Sequence, residues 1–578
     1  MTKKKWLIKD APNPTAIERL KNELNVSYLV AHMLVQRDIT DFESAKRFFR
    51  GTLEGLHDPF LMKNMKLAVN RLQQSLEEGG KILVYGDYDV DGTTSVALFY
   101  GFLSEHTSAI DYYIPDRYKE GYGVSMQGIE YAKEHGVDLI VTLDCGIKAI
   151  EPIAKAATYG IDVIICDHHT PEEVLPEAVV LDPKQDDCDY PYKELSGCGV
   201  GFKLLLGLCQ KLKMDTAPLF KNLDLLAISI GADIVPVTGE NRLLAQYGLA
   251  ELNKKPRPGL AIMLNLAKKE FPLTLTDVVF SIAPRINAAG RLGDAKQAVR
   301  LLIGEENEDL RELAKTIHNS NDERREKDKQ MTDEALQMIH EDADHKDKVT
   351  NLVYKKGWHK GVVGIVASRI IENHFRPTIV LTQPKEGDEW TGSARSVKDI
   401  NIYDVLSDCA HLLERYGGHF YAAGLSLKDE NLEAFAQCFD ASVRKRLIDE
   451  TLIPEEIIEK EIGFDSIFNT GESIHEIPRL KRLLKQFEPH GPGNMKPVFL
   501  TRNVYARYPK LLKGEHLKMQ VIEPGHDKPI NAIAFSFPSA FEIVQNGPFD
   551  LVYTLEENQF KGRTTLQLNV KDLRAAVG

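Results

Sequence analysis

The sequence predicts an α/β protein with a parallel-sheet catalytic domain, a long connecting helix, a second α/β domain and a small C-terminal β-barrel. Between residues 80 and 170, short apolar runs alternate with longer helix-like stretches, the pattern of a parallel sheet covered on both faces. Residues 304–346 are rich in charge and contain no proline, which is typical of a solvated helix. Residues 453–578 carry short strand-like runs separated by Pro and Gly turns, which favours a small barrel.

The length of the chain supports this division. A chain of 578 residues is too long for one hydrophobic core, because domains rarely exceed about 300 residues. With 43% hydrophobic and 27% charged residues, the composition is that of an ordinary globular protein. We expect an unassigned N-terminal segment, the catalytic domain, the connecting helix, the second α/β domain and the β-domain. The predicted boundaries are, in that order, 1–60, 61–303, 304–347, 348–452 and 453–578.

Location and redox state follow from what the sequence does not contain. No apolar run approaches the roughly 18 residues that span a bilayer, and the chain starts with the polar stretch MTKKKW. We therefore expect a cytoplasmic protein with no membrane partner. The seven cysteines show no CxxC spacing, so reduced thiols are expected and a structural zinc site is not.

The charge balance is uneven along the chain. A net charge of −13 argues against a polyanionic partner, because nucleic-acid binding usually leaves a basic surface. Residues 481–578, however, carry 14 basic and 9 acidic side chains. The C-terminal domain is therefore the predicted site for a phosphate backbone.

Acidic and imidazole side chains follow each of the first apolar runs. Ligands of open parallel sheets bind at the carboxyl ends of the strands, so these side chains are expected to share one crevice. Crowded carboxylates are usually kept ionised by divalent cations, and mixed oxygen and imidazole ligands suit manganese or magnesium. A pair of such ions would hydrolyse a phosphodiester. The runs 81–86, 138–143 and 161–166 precede Asp87, Asp89 and Asp91, then Asp144, then Asp167, His168 and His169.

Other interpretations compete for the first of these segments. A lone Asp after a strand is more often a helix N-cap, and paired histidines are often structural. Asp87, Asp89 and Asp91 match half of a calcium loop, but Leu98 stands where that loop requires Glu. Residues 89–93 (DVDGT) resemble the nucleophile motif of dehalogenase-type phosphatases, which leaves the histidines unused. The whole constellation favours the metal site.

The motifs DYDVDG, TLDCG and CDHH, in this order, resemble the first three motifs of the DHH phosphoesterases, and GADIVP resembles the fourth. Further segments are similar to the single-strand-specific DNA exonucleases of that family, and the resemblance spans residues 80–500. They are YIPDRYKEGYG, LSGCGVGFKL, APRINAAGRLGDA, WHKGVVGIVASRI, GSARS and YGGHFYAAG.

The resemblance implies a set of site residues. The expected ligands of two divalent ions, manganese or magnesium, are Asp87, Asp89, Asp91, Asp144, His168 and Asp233. His169 is expected beside them as a ligand or as an orienting, charge-stabilising group. In the family, a DHH-associated domain faces the catalytic domain across a cleft that grips DNA phosphates. That cleft implicates Ser393, Arg395 and His419 on one side and Arg117, Arg285, Asn287 and Arg291 on the other. A domain-interface ion pair is the alternative for Arg285 and Arg291.

The resemblance also implies an activity. The C-terminal domain resembles an OB-fold, in which Tyr505 and Tyr508 would stack on bases unless they pack in its core. The expected function is hydrolysis of single-stranded DNA from the 5′ end, in DNA repair and recombination, with a helicase or single-strand-binding protein as partner. The alternatives are a DHH phosphodiesterase acting on short oligonucleotides or cyclic dinucleotides, and a non-catalytic scaffold.

Overall fold

The computed structural model describes residues 4–292, 294–383, 387–448, 452–468 and 476–576. The chain divides into two compact units. The catalytic unit comprises Pro12–Asn321 and Leu483–Lys496, and the C-terminal unit comprises Met1–Ala11, Asp322–Arg482 and Pro497–Gly578. Strand β1 (Lys5–Ile8) belongs to the C-terminal unit, although it opens the chain.

A five-stranded sheet, parallel throughout, lies at the centre of the catalytic unit, as the sequence predicted. Its strands are β2 (Ile82–Gly86), β3 (Ile110–Tyr113), β4 (Leu139–Leu143), β5 (Asp162–Cys166) and β6 (Val179–Leu181). Their spatial order is β3–β2–β4–β5–β6, so the chain changes direction across the sheet between β2 and β4. Ligands of open α/β sheets bind at such a switch point, beyond the carboxyl ends of the strands.

Helices surround this sheet and extend beyond it. In chain order they are α1 (Pro14–Leu24), α2 (Tyr28–Val35), α3 (Phe42–Arg50), α4 (Met65–Glu78), α5 (Val90–Leu103), α6 (Met126–Glu134), α7 (Ile150–Thr158), α8 (Gly197–Leu212), α9 (Ala217–Phe220), α10 (Leu223–Ala232), α11 (Gly239–Lys254), α12 (Pro258–Leu266), α13 (Leu275–Asp277), α14 (Ala283–Leu292) and α15 (Lys296–Ile303). Helices α5, α8 and α10 are buried on almost every side, which places their first or last turns inside the unit.

The predicted connecting helix is present as α16 (Glu308–Glu341), 34 residues long, and it runs from one unit into the other. Helix α16 is more buried than the high content of charged residues in its sequence predicts. Leu310, Ala314 and Ile317 are buried in the core of the catalytic unit. Met331 and Ile339 are buried in a core cluster of the C-terminal unit. The charged side chains occupy the remaining faces of the helix, so the helix is amphipathic within each unit.

The second α/β domain is built on a mixed sheet in the order β10–β11–β9–β8–β7. The strands are β7 (Asn351–Lys356), β8 (Thr378–Gln383), β9 (Glu389–Arg395), β10 (Arg415–Gly418) and β11 (Ala422–Lys428). Only β7 and β8 pair in parallel. The helices are α17 (Val363–Asn373), α18 (Ile402–Asp408) and α19 (Leu432–Arg444). The structure pairs Cys409 with Cys438 as a disulfide, so the expectation of reduced thiols is wrong for these two cysteines.

The C-terminal strands form a ring of pairings, in agreement with the predicted OB-fold. Strand β14 pairs with β15, β15 with β16, β16 with β18, β18 with β17, and β17 again with β14. The elements are β12 (Glu455–Ile458), β13 (Lys460–Glu461), α20 (Arg479–Lys485), β14 (Phe499–Leu512), β15 (His516–Ile522), β16 (Ile530–Ala534), α21 (Ala540–Gln545), β17 (Phe549–Phe560) and β18 (Arg563–Ala575). Strand β1 pairs with β12, and the indole of Trp6 donates to Asp572. Within the described ranges, no helix is long and apolar enough to cross a membrane.

Candidate metal centre

Three carboxylates lie side by side at the carboxyl edge of the parallel sheet. Strands β2, β4 and β5 are in register at their last residues, Gly86, Leu143 and Cys166. The next residue in each case is an aspartate, and Asp87, Asp144 and Asp167 are all buried. A parallel sheet carries all its strand ends to one edge, so residues far apart in sequence meet here.

His168 is the point at which the acidic side chains meet. Its Nε2 atom lies 3.1 Å from Asp144 Oδ1, 3.5 Å from Asp233 Oδ2 and 3.9 Å from Asp91 Oδ2. Asp233 reaches this position from the residue that follows α10, and Asp91 from the first turn of α5. Two sets of side chains could each hold a metal ion, and His168 belongs to both. They are Asp144, His168 and His169, and Asp91, His168 and Asp233.

Asp91 is held in a single orientation by neighbouring polar groups. Its two carboxylate oxygens accept hydrogen bonds from the backbone N–H groups of Gly197 and Cys198 at the start of α8, over 2.7 and 3.0 Å. The hydroxyl of Ser229 on α10 donates to the same carboxylate over 2.7 Å. Three buried helices therefore fix this side chain, since Asp91 itself lies on α5.

The start of α8 approaches Asp144 so closely that only glycine fits. A Cβ atom built on Gly197 would lie 2.5 Å from Asp144 Cβ and 2.8 Å from its Oδ1. Asp144 itself has a left-handed backbone conformation, with φ 60°, which Asp tolerates better than most residues. Because residue 197 is a glycine, the N-terminus of α8 can contact both Asp91 and Asp144.

The carboxylates destabilise one another's charged forms. Burial and the charge of Asp89 hold the pKa of Asp87 well above its ordinary value. Burial and the charge of Asp91 raise the pKa of Asp89 and of Asp144, and they raise the pKa of Asp233 to about 8. Burial lowers the pKa of His168. Divalent cations would remove this repulsion, because they favour the ionised carboxylates and the neutral imidazole.

The donor set fits manganese or magnesium. In the described part of the chain, Asp87 Oδ2 and both ring nitrogens of His168 are buried without a hydrogen-bond partner. The 3.1 Å approach of Asp144 to His168 lacks hydrogen-bond geometry. Buried polar atoms are rarely left unsatisfied, and carboxylate oxygen combined with imidazole is a ligand set for these hard divalent ions.

Asp167 and His169 form a pair beside the cluster. Asp167 accepts a hydrogen bond from the Ile147 backbone N–H over 2.9 Å and lies 2.7 Å from His169 Nδ1. Burial opposes the charge on Asp167, but His169 and that N–H outweigh burial and hold its pKa below the usual range. Burial likewise opposes the charge on His169, yet Asp167 raises the pKa of His169 to about 9. The other ring nitrogen lies 3.1 Å from the Tyr122 hydroxyl, so the imidazole is oriented at both ends.

Two of the four predicted phosphate-binding residues of the catalytic unit lie near this edge. The guanidinium of Arg117 stacks 4.7 Å from the ring centre of Tyr88, and its charge acts on Asp87. Burial raises the pKa of Tyr88 to about 12, while Arg117 and Arg291 oppose that rise. Arg117 and Arg291 are therefore within electrostatic reach of the first strand end.

Arg285 and Asn287 lie on α14 and differ in exposure. Arg285 is buried, and it donates to the Ser281 carbonyl over 2.6 Å and to His318 Nδ1 over 3.2 Å. Arg285 therefore has hydrogen-bond partners within its own unit, a backbone carbonyl and an imidazole. Asn287 is half-buried.

The three predicted residues of the second α/β domain lie at one end of its sheet. Arg395 donates to Ser393 Oγ over 2.6 Å, and both residues lie on the same face of β9. A Cβ atom on Gly364, in the first turn of α17, would lie 2.8 Å from the Arg395 guanidinium. A cation beside the positive end of a helix is unfavourable unless an anion binds both. His419 is exposed in the loop after β10.

One acidic residue at the sheet edge was missed by the sequence reasoning. Asp182 follows β6 directly, is fully buried, and has a pKa raised to about 7 by burial and by the charge of Asp167. Its Oδ2 has no partner among the described residues. The sequence signal for Asp182 is weak, because only the three apolar residues 179–181 form the strand before it, whereas longer runs precede Asp87 and Asp144.

Comparison with known proteins places this geometry among relatives. Family models match the chain as "DHH family, N-terminal domain" at residues 81–230, "DHHA1 domain" at 346–445 and "RecJ OB domain" at 475–572. The chain is 36% identical over 574 residues to the single-stranded-DNA-specific exonuclease RecJ of Bacillus subtilis (strain 168), covering 99% of this chain and 71% of that protein.

Solved structures give the same result. The crystal structure of RecJ in complex with Mn2+ from Thermus thermophilus is similar with a TM-score of 0.84 and 27% identity, covering 99% of this chain and 80% of that one. The Mg2+ complex from the same organism is similar with a TM-score of 0.78 and 26% identity, covering 99% and 79%.

Proposed function

The chain belongs to the family of single-stranded-DNA-specific exonucleases named RecJ, and we propose that it removes nucleotides from the 5′ end of single-stranded DNA. It is a metal-dependent phosphodiesterase, and its cofactors are divalent ions, manganese or magnesium. The observation that carries the proposal is the convergence of Asp91, Asp144 and Asp233 on His168, within 3.9 Å of its Nε2. We further propose that the enzyme acts in DNA repair and recombination.

The ion-binding residues are proposed to be Asp87, Asp89, Asp91, Asp144, His168 and Asp233. Two ions bound there would supply an activated water and would stabilise charge on the phosphate and on the leaving oxygen. The chain contributes the rigidity of the site. Hydrogen bonds from α8 and α10 hold Asp91 in place before the substrate arrives, so no reorganisation of that side chain is needed during the reaction.

His169 is proposed as a charge-stabilising group rather than a base. Asp167 accepts from one side of the imidazole, and the Tyr122 hydroxyl lies at the other. An oriented cationic ring beside the carboxylates would attract an anionic phosphate oxygen. Asp167 then acts as a positioning residue, because its own oxygens are occupied by Ile147, His168 and His169.

Phosphate binding is proposed for both units. Arg117 and Arg291 supply positive charge beside Tyr88 in the catalytic unit, whereas Arg395, Ser393 and His419 lie at the sheet end of the second α/β domain. For Arg285, the buried hydrogen bonds favour a structural role, and Asn287 is kept as a candidate contact. We retain the division into 61–303 for catalysis, 304–347 as connector, 348–452 for DNA phosphate binding and 453–578 as the OB domain.

The OB domain is proposed to bind the single strand. Tyr505 is 46% exposed and Tyr508 69% exposed, so neither packs in the barrel core. The guanidinium of Arg507 lies 4.9 Å from the ring centre of Tyr508. Aromatic rings beside cations are the usual surface for unpaired bases. We also propose a cytoplasmic location and a helicase or single-strand-binding protein as the partner that supplies the strand.

The test uses the full chain with end-labelled single- and double-stranded DNA in manganese. Label on the 5′ nucleotide should be released first, from the single strand only. Replacing His168 with Ala should abolish release, whereas Asp162→Asn, which changes an exposed carboxylate at the opposite end of the same sheet, should leave it unchanged. Release first from the 3′ end would refute the polarity, and full activity in the His168 variant would refute the site. Preferential cleavage of a dinucleotide would favour the short-oligonucleotide alternative.

A further inference from the structure

An exposed pair of aromatic side chains stands on the loop between β10 and β11. Phe420 is 40% exposed and Tyr421 56% exposed, and their ring centres are 4.7 Å apart at a 60° tilt. The two residues follow His419 directly, in the loop that joins the strands. Adjacent exposed aromatic rings form an apolar patch, and such patches mark interaction sites more often than single exposed side chains do.

Hydrogen bonds on both sides hold this loop rigid. The backbone N–H of His419 donates to the Ala422 carbonyl over 2.8 Å, which closes the turn. The N–H of Ser396 donates to the Tyr421 carbonyl, and the N–H of Ile402 donates to the Phe420 carbonyl, each over 2.9 Å. The rings are therefore presented on a fixed platform, and binding to them does not require the backbone to be ordered first.

Two basic residues belong to the segments that hold the platform. Arg395 is paired in register with Ala422, the residue after Tyr421. Lys398 is exposed and lies within electrostatic reach of the Tyr421 phenol, while its ammonium donates to Glu455 over 2.7 Å. Ser393, opposite Gly424 in the same pair of strands, adds a hydroxyl. A phosphodiester backbone that contacts these polar groups would place its bases over the rings.

We propose that Phe420 and Tyr421 form a nucleobase-stacking platform that holds an unpaired base of the DNA strand. This inference rests on the proposed function, and it assigns to the second α/β domain a contact with the base in addition to the phosphate. Stacking on two tilted rings needs a base whose face is free, and base faces in a duplex are covered by their neighbours. The platform therefore contributes to the preference for single strands.

The experiment measures binding of a 12-nucleotide strand, in EDTA to prevent cleavage, by fluorescence anisotropy. A single abasic nucleotide is moved along the strand. The wild-type chain should lose affinity, by roughly 10-fold, when the abasic position coincides with the platform. The double variant Phe420→Ala, Tyr421→Ala should bind the intact strand more weakly by a similar factor. Its affinity should also not fall further when the abasic nucleotide stands at that position. The interaction between the base and the rings is already lost in the variant, so removing the base has no additional effect.

Controls separate this inference from the proposed function. Tyr354→Ala removes a ring that is 42% exposed on β7, the opposite edge of the same sheet, and should leave binding and its abasic profile unchanged. Hydrolysis of bis(p-nitrophenyl) phosphate, which requires only the metal centre, should be equal in the wild-type chain and the double variant. If the double variant keeps the wild-type affinity and abasic profile, the proposal is overturned. If the wild-type chain hydrolyses neither DNA nor the small diester, the proposed function fails instead.

Discussion

Replacing Gly197 with Ala tests how closely α8 must approach the metal centre. The added Cβ would lie 2.5 Å from Asp144 Cβ and 2.7 Å from its Cα, whereas carbon atoms in contact are about 3.5–4.0 Å apart. The helix start and Asp144 must therefore separate by about 1 Å. The same movement lengthens the 2.7 Å hydrogen bond from Gly197 N–H to Asp91. A misplacement of about 1 Å at reacting groups costs on the order of 100-fold in rate.

Steady-state release of labelled nucleotides from single-stranded DNA would measure this loss, and we expect kcat to fall about 100-fold. Overpacking should also lower the free energy of unfolding, by about 1–3 kcal/mol. Gly101→Ala is the matched control, because it lies in the last turn of α5 and a Cβ there would meet only Ile303, at 3.9 Å. That variant should keep full activity and gain about 0.5–1 kcal/mol of stability. Activity within a few-fold of wild type in a folded Gly197→Ala variant would refute the reasoning.

Three further predictions concern charge and stacking. Asp144→Asn should raise the melting temperature in EDTA, because it removes repulsion among buried carboxylates. It should also abolish the stabilisation by manganese that we expect in the wild type. A lower melting temperature in EDTA would contradict this. Lys203→Met should lower the free energy of unfolding in urea by about 3–5 kcal/mol, because it removes the cation 2.7 Å from the buried carboxylate of Glu240. Lys315→Met removes an exposed ion pair and should change nothing measurable. Equal effects of the two substitutions would refute the argument that burial makes the first ion pair matter. Tyr508→Ala should weaken binding of long single strands by about 1–3 kcal/mol. Tyr28→Ala changes an exposed tyrosine outside the OB domain and should leave binding unchanged. Unchanged binding in the Tyr508 variant would show that this side chain does not contact DNA.

The strand ends show how far sequence reasoning reached into the metal centre. The apolar runs that precede Asp87, Asp144 and His168 predict that these residues share one edge of the sheet, and the parallel sheet does bring them to one edge. Asp182 was overlooked for a related reason. Its strand is only three residues long, too short to be recognised as a strand by its apolar residues alone.

Asp233 and Arg285 show where that reasoning stopped. Asp233 ends a helix rather than a strand, so only the family motif pointed to it, and its approach to His168 depends on how α10 packs in the unit. Arg285 lies in a motif that predicts phosphate contact, and only the structure shows that it is buried and donates to Ser281 and His318. A motif shows which residues recur together, but not whether a side chain faces solvent.

The sequence by itself determined the types of element, the parallel sheet, the long helix and the residues at the strand ends, because periodicity and turn residues act over a few neighbouring positions. Only the tertiary structure decided that α8 and α10 converge on Asp91, that Gly197 must lack a side chain, and that buried carboxylates raise one another's pKa. These properties arise from burial and from distances between residues far apart in the chain. They exist only after the helices have packed.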